Sequence, residues 1–327
     1  MINRQQSQRD SGVKVRLIEI VDNDAGQRLD NFLRRHLKGV PKSHIYRILR
    51  KGEVRINKGR SKPDYRLQTG DIVRIPPVRT ATRQAPAKAD GLDWLNARIL
   101  YEDDDFLAID KPSGMAVHGG SGIRLGLIEA LRQLRTQCRF LELVHRLDRD
   151  TSGVLLIAKR RSVLRQLHEQ LRSRQIQKYY IALLMGTWSG KAQRVEAALA
   201  KNRQQSGERM VKISETGKPA VSRFTPRRNF SVNNLSAALV EIKLITGRTH
   251  QARVHAAHLG RPIAGDEKYG DRNFNAATKQ LGLKRLFLHA AHLIFTHPAE
   301  DCKIRIEAPV PGELAAIVEK LAGGSSI

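Results

Sequence analysis

One carboxylate in this chain stands where it could do chemistry. In "HRLDRDTSG", His145 to Gly153, Asp148 lies between Arg146 and Arg149, and the turn runs into the apolar stretch "VLLIAK". A single Asp in a turn is by default a surface residue with a weak salt bridge. Here the turn joins two apolar runs, so rigid elements position its side chains. Thr151, Ser152 and Gly153 add local donors that can fix a carboxylate. Asp150, two residues on, should project to a different side of an extended segment. A remote cation, Arg253, is available as a partner. An Asp paired with Arg stays ionised well below pH 7, which makes it a poor general base but a ready nucleophile or a stabiliser of positive charge.

A second constellation is "ITGRTHQARVHAAHLGRPIAGDEKYG". Thr246, Gly247, Arg248 and Thr249 form a donor-rich helix start that suits a phosphate or a carboxylate. Arg253 lies one turn beyond Thr249. His250, His255 and His258 invite a zinc reading, but the five-residue step separates His250 from His255 around a helix axis, and H-E-x-x-H is absent. Histidines hydrogen-bonded in or near the core are the better reading, and no metal is expected. The glycines of "DKPSGMAVHGGSG" lack both the G-x-G-x-x-G and the G-x-x-x-x-G-K-[ST] spacing, so no nucleotide cofactor is expected. That loop could instead let a ribose-phosphate backbone approach the main chain.

The elements that must hold these residues are legible from periodicity. "GQRLDNFLRRHLKGV" places Leu29, Phe32, Leu33 and Leu37 at helical spacing, and "PKSHIYRILRKG" starts at Pro41 with Ile45, Ile48 and Leu49 on its apolar face. Short strands follow in "EVRIN" and "DIVRIP". "PPVRTATRQAPAKADGLD", Pro76 to Asp93, reads as a linker. Beyond it, strands are expected at "RILYE", "FLAID", "VLLIAK", "IQKYYIALLMG", "SAALVEIKLI", "HLIFTH" and "KIRIEA". Helices are expected at "GLIEALRQLR", "SVLRQLHEQLRSR" and "THQARVHAAHLG". Strands often follow one another directly, which argues against a doubly wound sheet. The expected class is α+β. A mixed, largely antiparallel sheet with flanking helices forms the catalytic domain, 94–327. Before it come a loose start, 1–13, a small α/β domain, 14–76, and a linker, 77–93.

Charge names the partner class. The 327 residues carry 58 Lys and Arg against 32 Asp and Glu, a formal net charge of +26. Between Arg34 and Arg79 there are 14 basic and 3 acidic residues. So large an excess of one sign repels itself unless a polyanion neutralises it. Aromatic residues make up only 5%, so stacking on many bases is not the main mode. No stretch approaches the roughly 18 apolar residues of a membrane span. Cys138 and Cys302 have no metal-ligand spacing and suggest a reducing compartment, so a cytoplasmic protein without membrane contact is expected. Two small helices and a hairpin, basic on their polar faces, suit a compact RNA-binding module, and for an ionised Asp without cofactor in such a chain the fitting chemistry is glycosidic. Parting a base from ribose builds positive charge at the anomeric carbon, which a carboxylate stabilises or captures.

Residues 26–76 resemble the S4 RNA-binding domain. "HRLDRDTSG" resembles the central signature of the A-type class of ribosomal large-subunit pseudouridine synthases. Further segments similar to that family follow its order: "DKPSG", "KYYIAL", "GRTHQARVH" and "RLFLHAAHLIFTHP". Departures are Ala252, where the family usually has a bulkier aliphatic residue, and Asp110, where Asn is common. The resemblance implies isomerisation of uridine to pseudouridine in 23S ribosomal RNA or a large-subunit precursor, without cofactor; a monomer is expected. It implies catalytic roles for Asp148 as the attacking or stabilising aspartate, Tyr180 as the tyrosine against the base, and Arg253 as the aspartate's partner. Tyr180 could equally be plain core. Arg146 matches an arginine that fills the gap left by a flipped base, or it contacts a phosphate. With Thr151, Arg248 and His250 it forms the expected substrate-binding set. RNA contacts are expected from Arg34, Arg35, Lys42, Arg47, Arg50, Lys51 and Arg55. Two other readings fit the composition: a non-catalytic S4-domain ribosome-assembly factor and an S4-linked RNA methyltransferase.

Overall fold

The computed structural model describes residues 14–22, 24–37, 39–78, 91–119, 125–203, 209–232 and 235–323. The expected loose start (1–13), most of the expected linker (79–90), and Gly120 and Gly122 of the glycine loop lie outside them. The described residues fall into two units, one within 1–86 and one within 87–327.

The first unit begins with β1 (Arg16–Glu19), followed by α1 (Leu29–His36) and α2 (Lys42–Arg50). Their apolar stripes close on each other: Leu29, Phe32, Leu33, Ile45, Ile48 and Leu49 are all buried in one cluster. β2 (Arg55–Ile56), β3 (Gly59–Arg60) and β4 (Ile72–Ile75) join β1 in an antiparallel sheet of order β1-β4-β2-β3. β1 is absent from the expected strands. Its four residues stay largely in solvent, so no apolar alternation announces it, and pairing with β4 alone defines it.

The second unit holds β5 (Ile99–Glu102), β6 (Phe106–Lys111), α3 (Leu127–Leu134), β7 (Glu142–Leu143), β8 (Ser152–Ala158), α4 (Arg161–Arg172) and β9 (Gln177–Met185). It continues with β10 (Gln193–Glu196), β11 (Leu199–Arg203), β12 (Arg209–Ile213), β13 (Val221–Val232), β14 (Leu235–Leu244) and α5 (Gln251–His258). α6 (Arg272–Gln280), β15 (Leu288–Thr296), β16 (Lys303–Glu307) and α7 (Gly312–Gly323) complete it. The main sheet runs β10-β13-β14-β9-β15-β8-β6-β5, with β16 beside β15 and β7 beside β8. As expected, it is mixed and largely antiparallel, the parallel ladder lying between β8 and β15. β11 and β12 form a separate hairpin.

β8 is buried along its whole length, and period-two alternation divides it between two cores. Leu155 and Ile157 pack with Leu127 and Leu131 of α3, while Val154 and Leu156 pack with Val163 and Leu167 of α4. The turn carrying Asp148 therefore feeds a strand clamped from both faces. Gly153 and Tyr180 both face Ala290 in the ladders on either side of β15. One strand thus separates the Asp148 turn from Tyr180. Gly153 has φ +111°, and a Cβ there would lie 2.2 Å from the Ala290 carbonyl oxygen, so the approach of β15 requires glycine.

Candidate active site

Asp148 lines a cleft of about 520 Å³ and is the single acidic side chain among the residues that line it. Tyr180, Arg253, Arg146, Thr151, Arg248 and His250 line the same cleft. Residues from separate sequence segments are thus gathered round one carboxylate. Tyr179 is not among them: its ring stacks on His292 at 4.3 Å.

The carboxylate has no hydrogen bond among the described residues. Nη1 of Arg253 stands 3.8 Å from its Oδ2, and Nε2 of His250 stands 3.9 Å from its Oδ1. The donors expected from Thr151 and Ser152 go elsewhere. The Thr151 amide donates to the main-chain carbonyl of Asp148 (3.2 Å), closing the turn. The Ser152 hydroxyl accepts from Arg285 (2.7 Å) and meets Nδ1 of His289 (2.9 Å). The reason is direction: Ser152 already belongs to β8 and points toward β15, away from the turn. The side chain of Asp150 pairs with Arg149 at 3.1 Å and is not among the cleft-lining residues.

Arg253 is held by a residue that the motif reading passes over. Its Nε and Nη2 each donate to Asp266 at 2.7 Å, a buried bidentate pair that leaves Nη1 aimed at Asp148. Burial raises the Asp266 carboxyl, but the Arg253 bonds and charge and the amides of Tyr269 and Lys268 outweigh it and hold the group below the usual carboxylate range. Tyr269 lies under the guanidinium at 5.1 Å. Its hydroxyl accepts from the Val211 amide (3.0 Å) and meets Nδ1 of His250 (2.9 Å). His250 is the residue before α5 and takes a left-handed conformation, φ +53°, uncommon for a non-glycine residue and typical of functional strain. Burial holds its imidazole below the usual range, against the opposite pull of Asp148. The fragment "GDEKYG" contains both Asp266 and Tyr269, and its Asp-x-x-Tyr spacing is the signal available in the sequence.

Lys111 supports the turn from behind. It is fully buried, and its Nζ donates to the carbonyls of Pro112 (2.7 Å), Met115 (2.8 Å) and Arg149 (2.9 Å). Ser113 donates to the Asp150 carbonyl at 2.8 Å. "DKPSG" thereby ties its own loop to the two residues after Asp148. Burial brings the Lys111 ammonium down to about 7, with Asp150 and Asp148 opposing. Tyr180 is buried, and burial followed by the Asp148 charge pushes its hydroxyl above the usual phenol range. It therefore keeps its proton at neutral pH and can donate it to a bound group.

The remaining expected residues are placed as follows. Arg146 is exposed at the cleft mouth with no side-chain partner among the described residues. Arg248 donates through Nε to the Pro219 carbonyl at 3.2 Å. His255 is fully buried and its Nε2 meets the Ala197 carbonyl at 3.1 Å, away from His250. In the first unit Arg34, Lys42, Arg47, Arg50, Lys51 and Arg55 are exposed. Arg35 is instead tied to Asp24.

A family model described as RNA pseudouridylate synthase matches residues 105–258, and an S4 domain model matches residues 27–73. The ribosomal large subunit pseudouridine synthase C of Salmonella typhi is 56% identical over 312 residues, covering 94% of this chain and 97% of that protein. This chain belongs to the RNA pseudouridylate synthase family. The protein of the same name from Yersinia pestis is 57% identical over 303 residues, with 92% of this chain and 93% of that protein covered. Among solved structures, human RNA pseudouridylate synthase domain containing 1 superposes with a TM-score of 0.56 at 26% identity, over 67% of this chain and 86% of that one. The synthase is thus an isomerase of uridine in RNA, with an S4 domain ahead of its catalytic unit. The family match spans Asp148, Tyr180, His250 and Arg253, so the cleft described above falls within the matched region.

Proposed function

We propose that this synthase converts specific uridines of 23S ribosomal RNA, free or in a large-subunit precursor, to pseudouridine, with Asp148 as the nucleophile. The observation that carries the assignment is the Asp148 carboxylate itself: free of hydrogen bonds among the described residues, lining a basic cleft, and faced by Arg253 at 3.8 Å. A carboxylate so placed meets the positive charge that develops at C1′ as the N1–C1′ bond breaks. The freed uracil turns, C5 bonds to C1′, the proton on C5 leaves and N1 gains one, so the product is an isomer. Tyr180 packs against the base and, protonated, donates to a uracil oxygen or handles that proton. Arg253 keeps the carboxylate oriented and its charge balanced. Arg146, at the cleft mouth, contacts the backbone or fills the space that the extruded base leaves. Thr151, Arg248 and His250 border the nucleotide.

Extrusion of a stacked uridine costs on the order of a few kcal/mol, which backbone contacts must offset. The exposed basic residues of the S4 unit, Arg34, Lys42, Arg47, Arg50, Lys51 and Arg55, supply such contacts. Relatives named for the ribosomal large subunit support the substrate assignment. The net charge of +26 suits a polyanionic partner, and no helix among the described residues is long and apolar enough to cross a membrane. We place the enzyme in the cytoplasm as a monomer. The deciding experiment maps pseudouridines in 23S ribosomal RNA from cells with and without the gene. Discrete positions lost on deletion and restored by the purified protein are expected. An unchanged map would remove the assignment.

A further inference from the structure

Two lysines are buried beside the cleft, and they differ in one respect. Lys111 spends its ammonium on three main-chain carbonyls. Lys178, on β9, is 9% exposed and lines the cleft, yet its Nζ has neither a hydrogen bond nor an ion pair among the described residues. It lies two residues before Tyr180, on the same face of the strand, against the backbone of Gly247, where a Cβ would stand 3.2 Å from Nζ. Its stem is buried while Nζ itself is not fully enclosed, so the ammonium opens on the cleft with no acceptor among the described residues, a partly desolvated charge that an anionic ligand would repay. No acidic side chain offsets its burial. Burial lowers the group to about 8, and the other acting charge is the like-signed Arg248. Lys178 and Asp148 thus bring opposite charges to the lining of one cleft.

The cleft lining is rich in cations. Arg172, Arg174 and Arg248 line the cleft with Lys178, and Asp148 is its only acidic lining residue. Arg172 pairs with Glu169 outside it, whereas Arg174 has no side-chain partner among the described residues. Neutral uracil oxygens need no such concentration of charge. A phosphodiester does, and lysine is a point-charge binder of phosphate. We infer that Lys178 and Arg248 form a subsite for a phosphodiester of the RNA strand next to the target uridine. The inference rests on the RNA-uridine reading of the cleft and adds which backbone group the cleft grips.

The test uses the full-length protein and an RNA hairpin containing one mapped target uridine, with single neutral methylphosphonate linkages introduced in turn on either side. Affinity is measured for the unaltered protein and for Lys178→Met, and tritium release is followed separately. Removing a partly desolvated charge that has no acceptor among the described residues should leave the melting temperature unchanged or raise it. Lys178→Met is expected to bind the hairpin about 10- to 100-fold more weakly, the usual value of a charge-assisted bond. One methylphosphonate position should cost the unaltered protein the same factor and cost Lys178→Met nothing more. Affinity should also fall as pH rises through about 8 in the unaltered protein and not in the variant. If every methylphosphonate weakens both proteins alike, or if the variant melts at lower temperature and binds normally, the subsite does not exist. Because the cycle is read in affinity, its result stands apart from tritium release, whose absence would count against isomerisation instead.

Discussion

Nη1 of Arg253 stands 3.8 Å from Oδ2 of Asp148, while both other guanidinium nitrogens are spent on Asp266. The arginine is therefore aimed rather than merely near. It supplies positive charge to the carboxylate without occupying its lone pairs, which stay available to an incoming ribose.

Replacing Asp148 by Asn keeps the shape of the turn and removes the charge and the nucleophile. Isomerisation should fall by at least about 1000-fold while RNA binding stays within about threefold. Tritium release from 5-tritiated uridine measures the first, and filter binding the second. Normal release by the variant would remove Asp148 from the mechanism.

Asp266→Asn should uncouple aim from charge. Breaking one side of a buried bidentate pair costs about 3 to 5 kcal/mol of stability, and Arg253 then swings toward Asp148 and occupies it. A lower melting temperature and a slower single-turnover rate are expected together. The pH dependence has a definite sign. The folded-state carboxyl lies below its unfolded value, so its contribution is complete above the unfolded value and is lost as pH falls through the folded one. The stability gap between the unaltered protein and the variant should accordingly be widest near neutral pH and narrow as pH falls, and a gap independent of pH would contradict the pairing.

Lys111→Met leaves three part-buried carbonyls without their donor, at up to about 1 to 3 kcal/mol each where water cannot replace it. The turn after Asp148 loses its anchor at Arg149. Protection of the Thr151 amide in hydrogen exchange should drop, together with the single-turnover rate, while RNA affinity changes little. Retained protection would show that Ser113 alone holds the turn.

Arg34, Arg50 and Lys51 have no side-chain partners among the described residues, so each is available to phosphate. Changing all three to Ala should reduce the slope of log affinity against log salt by about 2 to 3 units. An unchanged slope would locate RNA docking elsewhere.

The elements legible in the sequence are those whose own periodicity matches their surroundings. Leu29, Phe32 and Leu33 announce α1, and the unbroken run of β8 announces a strand buried on both faces. β13 is hidden by Pro226, Arg227 and Arg228, because a register shift at Pro226/Arg228 accommodates a residue that cannot donate to a ladder. α7 carries Leu314, Ile317 and Leu321 at helical spacing, unclaimed among the expected helices. In the site, Asp148 and Arg253 stand out from the residues around them, whereas Tyr180 is marked only by the family resemblance. Asp266 does not stand out, because its meaning comes from a bidentate contact made across a loop. Lys111 and Lys178 look like ordinary surface lysines until burial is known, since lysine is rarely interior. The expectation that Thr151 and Ser152 brace the carboxylate fails for want of direction, which residue type does not encode.

The contact of Gly153 with Ala290 couples the order of synthesis to the onset of activity. The strand that seats the reactive turn is translated more than a hundred residues after it, whereas the amino-terminal RNA-binding unit is finished early. A growing chain can therefore hold RNA before it is able to alter it, and competence arrives only when the carboxyl-terminal third has emerged and closed the ladder.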